Sequence, residues 1–269
     1  FFHFASVGSF APYWPLYLHS LSLSALQIGI LMSLMLVTRI FAPTAWGWLA
    51  DHTGRRVMIV QIAAISGLIS YCGFFLGESF IWIFFVMLVM SSFWSASLPL
   101  IEAITLSHLG DRTEKYGRIR FWGSVGFILT VVGVGYLLDV VGIIWLLWVV
   151  FVLKIGIVIF SYQIPESEVI GHSIDQDSIR QVCRRPDVIV FLLSSMLMVF
   201  AHGVYYTFFS IYLVENGYGK GFVGWLWAIG VMCEIGVFFL MPWMMQRFSL
   251  KVILIFSFAC AVLRFLMIG

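Results

Sequence analysis

Long apolar runs, each separated from the next by a few polar or charged residues, recur along the whole chain. Nine are legible: Phe1 to about Leu18, Ala25 to the polar stretch near Gly47, Val57 to Leu76, Phe80 to about Ser107, Phe121 to Leu138, Ile143 to about Tyr162, Val188 to Leu213, Phe222 to Trp243, and Val252 to Gly269. A helix rises 1.5 Å per residue, so about 20 residues cross a ~30 Å hydrocarbon core, and each run is read as one membrane helix. The fourth exceeds that span, so it is expected to tilt or protrude, with Pro99 as its kink. Gly77-Glu78-Ser79 reads as a tight turn. The fifth run carries Gly123, Gly126, Gly133 and Gly135, small residues that let helices approach where no hydrophobic effect drives them together.

Composition places the solvent. Of the 269 residues 62% are hydrophobic and only 10% charged, and the mean hydropathy is +1.03, values of a chain surrounded mostly by lipid. The expected class is an all-α, polytopic membrane helix bundle. The formal charge of +2 implies no nucleic-acid partner, because the basic residues sit at the borders of the runs. Cys72, Cys233 and Cys260 fall in apolar runs and Cys183 in a polar one, so they read as packing residues rather than a disulfide framework.

Charge orients the array. Eleven Lys and Arg fall in alternate loops on one side: Arg55, Arg56, Arg112, Lys115, Arg118, Arg120, Arg180, Arg184, Arg185, Arg247 and Lys251. The other side has Lys220 alone, and Arg39, Lys154 and Arg264 lie within runs. By the positive-inside rule the loop at Arg55 and the polar stretch Gln163 to Pro186 are cytoplasmic.

The chain also repeats itself. Tyr17-Leu18 recurs as Tyr212-Leu213, Gly29 as Gly224, Trp48 as Trp243 and Val57 as Val252, always 195 residues apart. Six runs separate the copies, an even number, so both copies enter the membrane in the same direction. The expected organisation is a six-helix half over 1–162, a cytoplasmic linker over 163–186, and spans seven to nine of a second half over 187–269. Six spans per half imply twelve, so the chain reads as a fragment.

Gly47-Trp48-Leu49-Ala50-Asp51-His52-Thr53-Gly54-Arg55-Arg56 resembles the loop between the second and third helices of major facilitator superfamily transporters, whose pattern is G-x-L-a-D-r-x-G-r-r. Gly47, Leu49, Ala50, Asp51, Gly54, Arg55 and Arg56 match, while His52 departs. The stretch reads as a tight turn whose two glycines pack on a neighbouring helix, with Asp51 accepting hydrogen bonds from the arginines or a helix N-terminus. Gly47, Asp51, Gly54, Arg55 and Arg56 are expected to act as a gating loop that locks the halves together in one state rather than touching substrate. Tyr116 to Ser124, Ala201 to Tyr206, and Gly224 with Trp227, Gly230, Glu234 and Arg264 are similar to the 3-phenylpropionate permease branch, related to the lactose permease type. The resemblance implies a major facilitator fold in a bacterial inner membrane, a monomer without cofactor, and partners limited to a small molecule, protons and the bilayer.

Charges at bilayer depth are the candidates for mechanism, since each costs at least ~2.5 kcal/mol at a helix centre and persists only beside a cavity or a partner. Arg39 and Glu234 are again 195 residues apart, at equivalent depths. One reading has Arg39 binding an anionic substrate and Glu234 exchanging a proton; the other has both bridging helices. Arg264 is close in depth to Glu234 and is expected to pair with it, structurally or in coupling. Glu102 and His202 are further proton candidates, the latter because imidazole titrates near physiological pH, against an interfacial carboxylate and a hydrogen-bonded neutral His as alternatives. Lys154 has no evident partner and is read as snorkelling to the cytoplasm. Tyr13 and Trp14 in span one and Tyr205 and Tyr206 in span seven are candidate walls for an aromatic substrate, or packing residues.

A secondary transporter coupling proton entry to uptake of a small organic anion, such as an arylpropionate, is the leading expectation. Proton symport of a sugar or nucleoside is the runner-up, and a transport-inactive or regulatory membrane fragment is the alternative of another class. An enzyme is not expected, because no nucleophile with its base and no metal-ligand spacing stands out among the scattered histidines. The topology is testable by cysteine labelling in intact cells. A cysteine replacing Ser79 should react with an impermeant thiol reagent and one replacing Ser173 should not; the reverse pattern would overturn the orientation.

Overall fold

The structure, a computed structural model, describes residues 1–110, 112, 115–166 and 184–268. Among them are nine α-helices and no strand: α1 Phe2–Ser20, α2 Ala25–Thr53, α3 Arg56–Cys72, α4 Phe80–Leu109, α5 Tyr116–Val141, α6 Leu146–Ser161, α7 Pro186–Glu215, α8 Lys220–Arg247 and α9 Leu250–Ile268. Single 3₁₀ turns, Gly73–Phe75 and Ile143–Trp145, extend α3 and precede α6. Most of the linker lies outside the described residues, with Ser173, Arg180 and Cys183 among the positions concerned.

Local chemistry sets the helix ends. Ser24 opens α2 with a reciprocal capping box: its hydroxyl accepts from the Gln27 amide at 3.3 Å while the Gln27 side chain accepts from the Ser24 amide at 2.9 Å. The Ser79 hydroxyl accepts from the Trp82 amide to start α4, and Pro186 stands in the first turn of α7. The internal repeat is visible in the same ends. Ser20 and Glu215 close helices, and Ala25 and Lys220 open the next ones, both pairs offset by 195.

The region around Asp51 departs from the expected turn. Gly47 to Thr53 are the last turns of α2, and only Gly54 and Arg55 reverse the chain, Gly54 in the left-handed region at φ 66°. The space around Gly47 is open, so this glycine is not holding two helices together. The polar residues continue a helix because a helix needs no apolar partner once it has left the lipid.

Eight of the nine helices are long and apolar enough to cross a membrane, and the protein is an integral, multi-pass membrane protein. The exception is α1, expected from sequence to be an equally apolar span. Its Pro12, Pro15, serines and tyrosines reduce its hydropathy, and its position explains why that is tolerated: it runs through the bundle against α5, α6 and α7. Phe10, Tyr13, Trp14 and Leu18 are fully buried. Several polar groups inside are matched across helices, as a lipid environment favours. The Trp14 indole donates to the Met87 sulfur on α4, the Tyr71 hydroxyl to the Leu147 carbonyl on α6, and the Trp46 indole to the Ser92 carbonyl on α4.

The most extensive helix pairing joins α5 to α8, at the end of the bundle away from Asp51. Asp139, near the end of α5, takes the amides of Lys220 and Gly221 on its two carboxylate oxygens, each at 2.8 Å. Helix α8 starts at Gly219 with no side-chain cap of its own, so a neighbouring helix supplies the acceptor and a negative charge at its positive end. One turn deeper the backbones touch: a methyl on Gly224 would overlap the Val131 carbonyl, and one on Gly135 the Lys220 carbonyl. The Tyr13 hydroxyl fits that crossing, donating to Val131 O at 2.5 Å and within 3.2 Å of Lys220 O. His19 and Glu215, 3.4 Å apart, join α1 to α7 at the same end. Replacing Asp139 by Ala is expected to lower stability by about 1–2 kcal/mol, the scale of a lost helix cap with its amides unmatched. Thermal unfolding in detergent measures it, and an unchanged midpoint would show that the cap does not hold this end.

Candidate functional site

Below the α5–α8 crossing a cavity of about 740 Å³ opens between α1, α2 and α5 on one side and α7, α8 and α9 on the other. Helical spacing decides what reaches it. Met32, Met35, Leu36 and Arg39 line one face of α2, and Trp227, Gly230, Val231 and Glu234 one face of α8, in steps of three and four. Helix α7 contributes Met198, His202, Tyr205 and Tyr206, and α9 contributes Arg264. Arg39 and Glu234, the two charges related by the repeat, therefore stand on opposite walls of one cavity.

Arg264 does not pair with Glu234, contrary to the sequence expectation. Its Nη2 lies 2.7 Å from His202 Nε2, and its guanidinium carbon lies 4.6 Å from the Tyr205 ring centre. The other histidine nitrogen, Nδ1, is 2.8 Å from the Met198 carbonyl. A guanidinium only donates, so Nε2 faces it as a lone pair and Nδ1 carries the hydrogen, which makes this His202 a neutral ring. The Nε of Arg264 is buried and has no partner among the described residues. Glu234 likewise makes no ion pair among them.

The aromatic candidates divide. Tyr205 and Tyr206 line the cavity and form, with Trp227, a group of rings whose centres are 5.5–6.1 Å apart. Tyr13 and Trp14 do not reach the cavity. Both are 0% exposed, Tyr13 at the α5–α8 crossing and Trp14 stacked on Phe10 with its indole bonded to α4. Aromatic residues at helical spacing mark a buried face equally well whether protein or cavity covers it. Trp227 was missed as a site residue, although it lies seven positions, about two turns, before Glu234 and so on the same face.

Glu102 is separated from these groups. It accepts a hydrogen bond from the Tyr116 hydroxyl at 3.1 Å and lines a second cavity of about 370 Å³, with Arg120, between α1, α4, α5 and α6. Lys154 does not snorkel. It is 5% exposed, with Nζ 4.3 Å from the Trp94 ring centre and 5.5 Å from that of Tyr71. Cation–π contact with two rings takes the place of hydration for this ammonium.

The Asp51 region touches neither cavity. Across the Gly54 reversal Asp51 accepts from Arg56 Nη2 at 2.7 Å and from its Nε at 3.3 Å, and Glu166 accepts from the Val57 amide at 3.3 Å, placing a second carboxylate at the start of α3. Trp48 stacks on His52 at 5.2 Å, and Arg55 is the residue preceding α3.

A bundle with a central cavity between two sets of helices, entered by charges from both, is the architecture of a secondary transporter. The MFS_1 like family matches residues 1–269, and the chain belongs to that family, within the major facilitator superfamily. Over 281 residues it is 28% identical to the "Probable 3-phenylpropionic acid transporter" of Escherichia coli (strain K12), covering 100% of this chain and 72% of that protein. It is 25% identical to "Uncharacterized transporter YwbF" of Bacillus subtilis (strain 168), covering 87% of this chain and 59% of that protein. A crystal structure of the nucleoside transporter NupG, in its D323A form, superposes with a TM-score of 0.84 at 19% identity, over 98% of this chain and 70% of that one, a likeness of fold. The chain thus spans between 59% and 72% of the length of these three proteins.

Because Asp51 braces a reversal remote from the cavity, its loss should act on interconversion between states rather than on binding. In the full-length protein Asp51→Asn is expected to slow transport by roughly tenfold, the scale of a typical coupling between sites, with substrate affinity within about twofold. Parallel uptake and binding titrations check this, and unchanged uptake would remove the gating role.

Proposed function

We propose that this chain belongs to a proton-coupled symporter of a bacterial inner membrane that takes up a small organic anion, an aromatic carboxylic acid such as 3-phenylpropionate, by alternating access. The observation that carries the reading is the cavity itself, where Arg39, Arg264, Glu234 and His202 meet the rings of Tyr205, Tyr206 and Trp227. Two guanidiniums against one carboxylate leave a site that favours an anion, and the rings offer faces on which an aromatic group stacks. The likeness to the Escherichia coli relative, a probable 3-phenylpropionic acid transporter by name, supports the same substrate class.

In this reading residues 1–162 form one half and 187–269 the first three helices of the other, joined by 163–186, and the halves rock about the central site. The Asp139 cap and the Gly135–Gly224 crossing close one entrance. Opening it must break the two amide bonds at α8 and part the backbones. Substrate and proton then favour the same state, each strengthening the other's binding.

Glu234 is the proposed coupling carboxylate, since it faces the cavity with no ion pair among the described residues. The test is the Glu234→Gln variant of the full-length protein in liposomes. It should keep substrate exchange across the membrane within about threefold, yet lose accumulation driven by a pH gradient by at least about tenfold, because a permanently neutral side chain mimics the protonated carrier. Retained accumulation would sink the role of Glu234 and move the proton to His202 or Glu102.

A further inference from the structure

We propose that His202 and Arg264 form a proton-gated carboxylate site, in which protonation of His202 at Nε2 releases Arg264 to bind the carboxylate of an aromatic acid. The inference rests on the transporter reading and names the groups that take the anion and its proton as they bind, before that proton reaches the coupling carboxylate Glu234. In the structure the Nη2 of Arg264 is spent on His202 at 2.7 Å, and the adjacent Nε is buried with no partner among the described residues. These two nitrogens are the side-on edge of the guanidinium, the one that meets a carboxylate with two parallel hydrogen bonds. The chain uses that same edge elsewhere: Arg56 presents Nε and Nη2 to Asp51, and Arg185 presents them to Asp187. At Arg264 the edge is half occupied, by a group that a proton converts from acceptor to donor.

The proton goes to Nε2, the nitrogen holding Arg264, while Nδ1–H stays on the Met198 carbonyl. No bond can then remain between an imidazolium and a guanidinium, both of which only donate. Arg264 Nη2 and Nε become free together, and the protonated ring donates to the incoming carboxylate from the side it used to face. Tyr205, already 4.6 Å from the guanidinium carbon, and Tyr206 with Trp227 provide the walls for the ring of the acid.

The other groups around His202 decide the charge balance. Glu234 comes from α8 and Arg39 from α2, whereas α1 and α5 present only Val7, Ala11 and Phe127 to the cavity. With His202 neutral the cavity holds two cations and one anion; one proton adds a charge and one carboxylate removes it. Proton and acid entering together therefore leave the net charge of the cavity as it was, and each makes the other's entry easier. A carboxylate entering without the proton finds Arg264 engaged, and a proton entering without it sits among like charges.

The test measures binding of 3-phenylpropionate and of its uncharged analogue 3-phenylpropionamide to the full-length protein in detergent, between pH 6 and 8, where the acid stays ionised. Wild type is expected to bind the acid more tightly as pH falls, by up to about tenfold per unit for one linked proton, and the amide weakly and without pH dependence. His202→Gln should bind the acid with no pH dependence. Arg264→Gln should bind the acid no better than the amide, and Arg264→Lys, which keeps the charge without the side-on edge, should lose most of the preference; the lysine variant decides if the glutamine variant does not fold. A wild-type pH slope surviving in His202→Gln, or a full preference for the acid in the two Arg264 variants, overturns the inference while leaving the transporter reading in place. A flat slope in wild type does the same. Failure of wild type to bind the acid at any pH overturns the aromatic-acid reading and the inference together.

Discussion

The closed end of the bundle depends on one carboxylate meeting two backbone amides. Helix α8 begins without a side-chain cap of its own, so its first amides need an acceptor from elsewhere. Asp139 supplies the acceptor from α5, and this fixes the register in which the two helices cross. With that register set, Gly135 backs onto Lys220 and Gly221 and Gly224 onto Val131, the Tyr13 hydroxyl is locked over the Val131 carbonyl, and the two walls of the cavity diverge below. Shifting α8 by one residue would put a side chain into the Val131 carbonyl and remove the bonds to Asp139 at the same time.

The charges in the cavity make sense against this frame. Arg39 and Glu234 occupy equivalent places in two repeated helices, so their separation across the cavity is a product of the repeat rather than of pairing. Arg264 is engaged by a neutral imidazole, which leaves one guanidinium nitrogen unmatched among the described residues. The arrangement keeps in one space a carboxylate with no ion pair among the described residues and a guanidinium edge that an imidazole only half engages.

The order of the spans was legible in the sequence because it depends on local rules, the length of an apolar run and the polar residues between runs, together with a repeat of 195 residues; their ends were not, since α5 starts at Tyr116 and α8 runs to Arg247, beyond the apolar runs. The cavity was legible in part. Arg39, His202, Glu234, Tyr205 and Tyr206 were placed by depth and cost, and depth is a one-dimensional quantity that sequence supplies. Who faces whom is not. Glu102 lies at a comparable cost but is turned toward Tyr116 and another cavity, Tyr13 and Trp14 are turned into protein, and Lys154 finds two rings instead of the surface. The α2 overshoot was missed for a related reason: a helix leaving the membrane changes its residues without changing its backbone.

Helix α1 has a consequence for how the chain is assembled in the membrane. Eight helices could each dissolve in lipid alone, whereas α1, with its prolines, serines and tyrosines, gains little from hydrocarbon and much from protein. Its residence in the bilayer is secured by later-made neighbours, since α5, α6 and α7 cover the polar side it would otherwise show to acyl chains. The stable place of α1 in the bilayer therefore depends on its partners, and its settling there is coupled to the docking of α5, α6 and α7 rather than independent of it.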